Sequence, residues 1–406
     1  MHDTDETAAF AGLDRQGLGA LHARIARHFR RSEARERARR YLEGLLSPVE
    51  RKNGWQLAEA LGEGGPQGMQ RLLNAADWDA EVVRDELRAY VLEDLADERS
   101  GVLVIDETGF VKKGTKSAGV ARQYSGTAGR RENQQIGVFL LYASDRGAAF
   151  IDRALYLPDE WMGDAARREE AHIPAQVGFA TKGELARELL ARAFAAGAPA
   201  RWVVGDTVYS GDEVRRWLEG QGRSYVLAVP STHGIWTRAH QQTAAQLMQR
   251  LPSDAWVRLS AGEGSQGPRW YDWACLRLPY TTAAGTGQWL LARRSVSAPK
   301  ELAYYRVFGP AQTPVEEMVR VAGRRWTLEE GFEQAKGEVG LDQYEVRRYD
   351  AWYRHVTLAL LAHAYLEVAR QGALAASATA VAPAGKDEPL GLLGGVPLPS
   401  GQSSSP

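Results

Sequence analysis

Three acidic residues of this 406-residue chain stand where acids do chemistry in α/β proteins. Asp106 closes the run "GVLVID" (101–106) and Asp206 closes "RWVVGD" (201–206). Both follow aliphatic runs that read as buried strands, and side chains at the carboxyl ends of such strands point into the crevice where sites are kept. A third carboxylate could come from "RRWTLEEGFEQAK" (324–336), where Arg325, Glu329 and Lys336 fall at i, i+4 and i+11 and share one stripe of a helix, with Trp326, Phe332 and Leu328 toward the core. The plainer reading makes each aspartate a turn or cap residue in "DET" and "DTVYSGDE". It makes the glutamates partners in i,i+4 ion pairs worth ~0.2–0.5 kcal/mol each. Spacing leaves both readings open.

If the three acids converge, like charges about 4 Å apart repel by ~4 kcal/mol at an effective dielectric near 20, so the cluster requires cations. Hard oxygen ligands select Mg²⁺ or Mn²⁺, and three carboxylates with open water positions suit a pair of ions. Such a pair can act on both sides of a phosphodiester. The local charge fits that substrate. Between Thr108 and Arg131 stand Lys112, Lys113, Lys116, Arg122, Arg130 and Arg131 with no acid, interleaved with Gly114, Gly119, Gly126 and Gly129, and Tyr124 could stack on a base. From Arg24 to Arg40, eight arginines face only Glu33 and Glu36. These arginines could track DNA or pair within their helix. A formal charge of −1 is no obstacle, because a polyanion responds to the local field.

The elements that must position these residues change in texture along the chain. Residues 1–96 place apolar side chains at helical spacing, broken by "GEGGPQG" (62–68). Strands and helices alternate from 101 to 230, the pattern of an α/β sheet. From 231 to 312, short aromatic and β-branched runs separated by Gly, Ser and Pro read as a β-rich insert carrying Trp256, Trp270, Trp273 and Trp289. Helices return at 314–336 and 347–371, and the Ala-, Gly-, Pro- and Ser-rich stretch 373–406 reads as disordered.

Three long blocks resemble the signature regions of bacterial DDE transposases. They are "VIDETGFVKKGTKSAGVARQYSGTAGRRENQQIGV", "WVVGDTVYSG" and "RRWTLEEGFEQAKGEVGLDQYEVRRYDAWYRHVTLALLAHAYL". The likeness extends to "RKNGWQLAEALGEGGPQGMQRLL" and "LYLPDEWMGDAARREEAHIP", most of residues 40–370, and points to the insertion-sequence-four superfamily in its seven-hundred-and-one branch. It implies a ribonuclease-H-like core (97–230 and 313–372) split by the β-rich insertion (231–312), with residues 1–96 as a helical DNA-binding domain. It implies Asp106, Asp206 and Glu329 as catalytic ligands of two Mg²⁺ or Mn²⁺ ions. It chooses Glu329 over Glu330 and Glu333, because the family places an Arg four residues before its Glu and a Lys seven after, as Arg325 and Lys336 stand here. The signature tyrosine three residues before that Arg is Ala322 in this chain. The implied activity is cleavage of transposon ends and transfer of the freed 3′-hydroxyl strand to target DNA, by a homodimer on paired ends. Arg325 and Lys336 would contact backbone phosphate, and one insert tryptophan could stack on an extruded base. The rival readings are a nuclease of the same fold and a non-catalytic DNA-binding derivative.

Other chemistries find little support. Cys275 is the only cysteine, which leaves no internal disulfide or Cys-based zinc site. His355 and His363 lack a third ligand, and no Walker loop, dinucleotide fingerprint or HExxH is present. The start "MHDTDETAAF" lacks an apolar core, and the longest apolar stretch, 356–368, is too short to span a bilayer. The expectation is a soluble, cytoplasmic protein, nucleoid-associated when bound to DNA.

Overall fold

The computed structural model describes residues 15–381 apart from 126–128, 238–239, 265–266 and 281. Helices come first: α1 (Arg15–Ala26), α2 (Ser32–Leu45), α3 (Gly54–Ala60), α4 (Gln67–Asn74) and α5 (Ala80–Leu95). The strands that follow are β1 (Val102–Val111), β2 (Ala121–Ser125), β3 (Arg130–Ser144), β4 (Gly147–Tyr156), β5 (Trp202–Gly205) and β6 (Ser224–Val229). Helices α6 (Ala165–Glu170) and α7 (Lys182–Ala195) separate β4 from β5, and α8 (Asp212–Gly220) separates β5 from β6. The next segment carries β7 (Gly234–Trp236), β8 (Gln241–Thr243), α9 (Ala244–Gln249), β9 (Val257–Gly264), β10 (Gly267–Arg277), β11 (Thr286–Ser295) and β12 (Leu302–Pro310). Helices α10 (Val315–Gly323), α11 (Arg325–Val339) and α12 (Tyr349–Val381) complete the described chain.

Among the described residues, ten strands form one mixed sheet, in the order β2-β3-β1-β5-β6-β12-β11-β10-β9, with β4 also paired to β3. In it, β1 with β5 and β5 with β6 run parallel. Val102, Leu103, Val104 and Ile105 are fully buried, which explains the unbroken aliphatic run: a strand covered on both faces has no solvent side to alternate with. The aromatic segment that reads as an insert adds β9 to β12 to this same sheet, because β12 pairs antiparallel with β6, while its β7 and β8 pair only with each other. The strand of Asp106 differs from expectation. β1 runs on to Val111, paired with β3 throughout, so Asp106 lies inside the strand and only its pairing with β5 stops at Ile105.

One hydrophobic core joins helices to sheet, with Tyr41, Leu87, Leu140, Phe150, Phe332 and Trp352 among its members. Helix α12 extends to Val381, so the first residues of the segment that composition assigns to a disordered tail are helical; the rest of it lies outside the described residues. Among the described residues, no helix is long and apolar enough to cross a membrane.

The approach of α10 to β9 is close enough to require glycine. A Cβ at Gly323 would collide with the carbonyl oxygen of Ala261, a backbone atom that cannot swing aside. Gly323→Ala is therefore expected to force the insert strands away from the α10–α11 junction and cost roughly 1–3 kcal/mol, as overpacked sites do. The measurement is the urea midpoint against wild type; an unchanged midpoint would contradict this packing.

Candidate active site

The parallel register brings two of the acids together. Ile105 pairs with Gly205 on the last rung of the β1–β5 ladder, so the next residues, Asp106 and Asp206, emerge side by side. Asp206 occupies the N-cap position of the 3₁₀ turn Thr207–Tyr209, yet its side chain makes no cap hydrogen bond. Turn chemistry therefore does not account for it. Asp106 Oδ1 accepts a 2.8 Å hydrogen bond from the Glu107 amide. Burial, with the nearby Asp206 carboxylate adding to it, raises the Asp106 carboxyl to about 7 against the opposing pull of the Glu107 amide and the Arg325 guanidinium.

The third acid arrives on α11. This helix packs Leu328, Gly331, Phe332, Ala335 and Val339 inward and ends at Gly340 in the left-handed conformation (φ 63°), where a residue without Cβ is favoured. Arg325 stands at its first position. Its guanidinium lies 2.8 Å from Glu329 Oε1 and 3.7 Å from Asp106 Oδ2, and the charges of Glu329, Asp206 and Asp106 together hold it protonated against burial. Glu329 is half exposed. Spacing alone left the glutamates open and the family resemblance chose Glu329; in the structure Glu329 and Glu330 have different partners. Glu329 is tied to the aspartates through Arg325, whereas Glu330 is turned to Arg269 of β10 at 3.3 Å. Arg324, the other half of the arginine pair, faces away and binds Asp145 and the Ser144 carbonyl. Trp326, expected in the core, is only partly buried and stacks on Tyr271 of β10 with ring centroids 5.9 Å apart. Among the described residues, no three His, Cys, Asp or Glu side chains gather closely enough to hold a metal ion. The carboxylate oxygens are of the type that suits a hard cation, and the raised Asp106 carboxyl marks a site short of positive charge; Arg325 supplies the charge present.

Lys336 lies further along α11 and donates a 2.7 Å hydrogen bond to Thr108 Oγ1, on the face of β1 that carries Asp106; burial lowers its pKa. Ala322, at the place of the signature tyrosine, is buried in α10 and offers no surface to a ligand. The basic segment after β1 divides. Lys112 lies 3.5 Å from the centre of the Tyr344 ring, and burial lowers its ammonium to about 8. Lys113 is exposed, and Lys116 pairs with Glu170 at 2.6 Å. With Arg51 and Arg347, which the sequence did not single out, these lysines line a 710 Å³ cleft between the α2–α3 connection, the β1–β2 connection and the α11–α12 connection. Beyond it, β2 and β3 form an edge ribbon. Tyr124 pairs with Arg131 across the ladder and Arg122 lies two residues from Tyr124, so all three share one face, while Arg130 opposite Ser125 is on the other. Tyr124 is 66% exposed.

Several candidates are engaged within the protein instead, some of them at its surface. Arg24 binds Glu93, Arg27 binds Glu86, Arg30 binds Asp77, Arg37 binds Glu63, and Arg39 binds Glu36 and Glu43, so most of the N-terminal arginines serve helix packing. Trp273 and Trp289 are buried, Trp256 packs under Arg294, and Trp270 is the exposed member of the four. His355 and His363 are fully buried and pushed down to about 4 and 3 by desolvation, with His355 bonded to the Tyr41 hydroxyl.

Residues 24–258 match the model of the DDE superfamily endonucleases, and residues 178–365 match the transposase DDE domain. The chain belongs to the DDE superfamily of endonucleases and transposases. It is 27% identical over 317 residues, 75% of either chain, to a probable transposase for insertion sequence element IS701 from Microchaete diplosiphon. A solved NurA nuclease from Sulfolobus solfataricus overlaps 63% of this chain and 86% of its own at 10% identity and a TM-score of 0.29, too slight a likeness to bear on fold or chemistry.

The electrostatics of this DDE family member have a measurable consequence. The raised Asp106 carboxyl makes ionisation costly in the folded state: the cost is absent below the unfolded pKa near 4 and complete above about 7. In metal-free protein, Asp106→Asn keeps the acceptor for the Glu107 amide and removes that cost. The expected result is a stabilisation of roughly 2–4 kcal/mol at pH 8, smaller at pH 5, read from denaturant unfolding at the two values. A gain that grew toward acid would contradict it.

Proposed function

We propose that this protein is a DNA transposase in which Asp106, Asp206 and Glu329 hold two Mg²⁺ or Mn²⁺ ions at a ribonuclease-H-like core formed around β1, β3, β5 and β6. The observation that carries the reading is the adjacency of Asp106 and Asp206 on parallel strands, with Arg325 joining Asp106 to Glu329. Divalent ions, when bound, supply activation of a hydroxyl nucleophile and charge for the leaving oxygen of a phosphodiester. The chain's own residues do the rest. Asp106 and Asp206 give up a shared excess of negative charge to a cation. Arg325, released from that duty, is free to meet a phosphate while Glu329 remains within reach on the same helix. The ribbon of Arg122, Tyr124 and Arg131 grips the backbone and stacks on a base, Arg130 adds charge to its other face, and Lys112, Lys113 and Lys116 continue the basic track along the 710 Å³ cleft. Lys336, beside Thr108, lies next in line for a phosphate that enters over β1. The reaction is cleavage at transposon ends followed by transfer of the 3′-hydroxyl strand to target DNA, carried out by two copies on paired ends in the cytoplasm. A protein limited to hydrolysis would cut such ends and fail to join them, so a strand-transfer assay with pre-cleaved ends decides between transposase and nuclease.

Glu329→Gln is expected to reduce Mg²⁺-dependent nicking by at least about a hundredfold while leaving DNA affinity within a few-fold, and Glu330→Gln, which only releases Arg269, to remain close to wild type. Equal loss in the two variants would break the assignment of Glu329.

Replacing Arg122 and Arg131 together by Ala should weaken DNA binding for all sequences alike and lower the slope of log affinity against log salt by about 2, one for each phosphate that these arginines neutralise. An unchanged slope in a fluorescence-anisotropy titration would remove the ribbon from the DNA path.

A further inference from the structure

The face of β1 opposite Asp106 carries Glu107, whose carboxylate lies between two groups that the chemistry above does not use. Tyr209 donates its hydroxyl hydrogen to Glu107 Oε2 at 3.0 Å, and the Lys182 ammonium binds Oε1. Tyr209 is fully buried, at the end of the 3₁₀ turn that begins at Asp206. Lys182 is the first residue of α7, whose start is fixed by a capping box between Thr181 and Glu184.

These contacts close a circuit between the two aspartates. The Glu107 amide donates to Asp106 Oδ1 at 2.8 Å, the Tyr209 hydroxyl donates to Glu107 at 3.0 Å, and the Tyr209 amide donates to the Asp206 carbonyl at 2.9 Å. Backbone pairing cannot do this work, because the β1–β5 ladder ends at Ile105 and Gly205, one residue short of both acids. Past that rung the chain of Asp206 turns away into the 3₁₀ turn, while β1 continues beside β3. The side-chain bridge takes over where the ladder stops, and a hydroxyl donating to an ionised carboxylate is among the stronger and shorter hydrogen bonds.

We propose that Glu107 and Tyr209 form a positioning pair that sets the spacing of Asp106 and Asp206 and thereby the affinity of the two aspartates for a divalent cation. The Lys182 ammonium holds the Glu107 carboxylate from its other oxygen and fixes its orientation toward Tyr209. The proposal rests on the reading of Asp106 and Asp206 as metal ligands. Neither member of the pair touches the cation or DNA. They act through the two acids, as the outer partners of metal ligands do.

The test is a calorimetric titration of the full-length protein with Mn²⁺ at fixed pH and without DNA, together with the thermal midpoint of each metal-free variant. Tyr209→Phe keeps the buried ring and loses only the hydroxyl; it is expected to weaken Mn²⁺ binding about tenfold with its thermal midpoint within a few degrees of wild type. Glu107→Ala is expected to weaken binding similarly, the double variant no more than either single one, and Glu107→Gln, which keeps an oxygen acceptor for Tyr209, to recover most of the affinity. Wild-type Mn²⁺ affinity in folded Tyr209→Phe, or losses that add in the double variant, would overturn the pairing. Asp206→Asn separates the two levels. If it abolishes Mn²⁺ binding while Tyr209→Phe does not alter it, only the positioning pair fails; if it binds Mn²⁺ normally, the metal-ligand reading fails and takes the pair with it.

Discussion

Two carboxylates emerging side by side from neighbouring parallel strands are the constraint around which the rest of this structure is arranged. In water their repulsion would be slight, but burial of Asp106 raises it and leaves that carboxyl able to hold a proton near neutral pH. Several groups close to the pair answer that charge. The Glu107 amide donates to Asp106, Arg325 spans Asp106 and Glu329, and the Glu107–Tyr209 bridge on the far face ties the two backbones beyond their last shared rung. Such a site is costly for stability, a compromise common at functional positions.

Helix α11 is the second requirement, and the insert strands help to seat it. Their sheet continues from β6 through β12 and β11 to β10 and β9, and β10 carries Tyr271 to the face of Trp326 and Arg269 to Glu330. Gly323 lets α10 rest directly on the β9 backbone, just before the chain turns into α11. Arg293 packs over both Tyr271 and Trp326. A segment that is far from the aspartates in sequence therefore fixes the angle at which Arg325 and Glu329 reach them.

Arginine plays opposite parts in the N-terminal helices and in the β2–β3 ribbon, and composition could not distinguish them. The arginines between Arg24 and Arg40 mostly find carboxylates on other helices or their connections, such as Glu93, Glu86 and Glu63, because the helices pack with those acids toward them. Arg122 and Arg131 sit on an edge ribbon beside an exposed tyrosine, with Arg131 bonded to the Arg122 carbonyl. Counting charges found both segments; only partners in space told packing from an open surface.

The sequence by itself determined the element types, since the aliphatic run at 102–105 reads as a strand covered on both faces and the helical stripe of Arg325, Glu329 and Lys336 follows from 3.6 residues per turn. The order of its long blocks also carried the family resemblance. What only the tertiary structure decided was which groups meet. Asp106 proved to lie inside a strand, because β3 continues to pair with it after β5 has left. The insert joined the main sheet through β6, Lys336 turned to Thr108, Trp326 to Tyr271, and Glu107, the chain neighbour of Asp106, proved to face away from it toward Tyr209 and Lys182. The reason is physical. Burial period and helical spacing are local properties written in neighbouring residues, whereas strand register, the side of a sheet to which a helix returns and the partner of a charge depend on contacts between segments far apart in the chain, which no local pattern encodes.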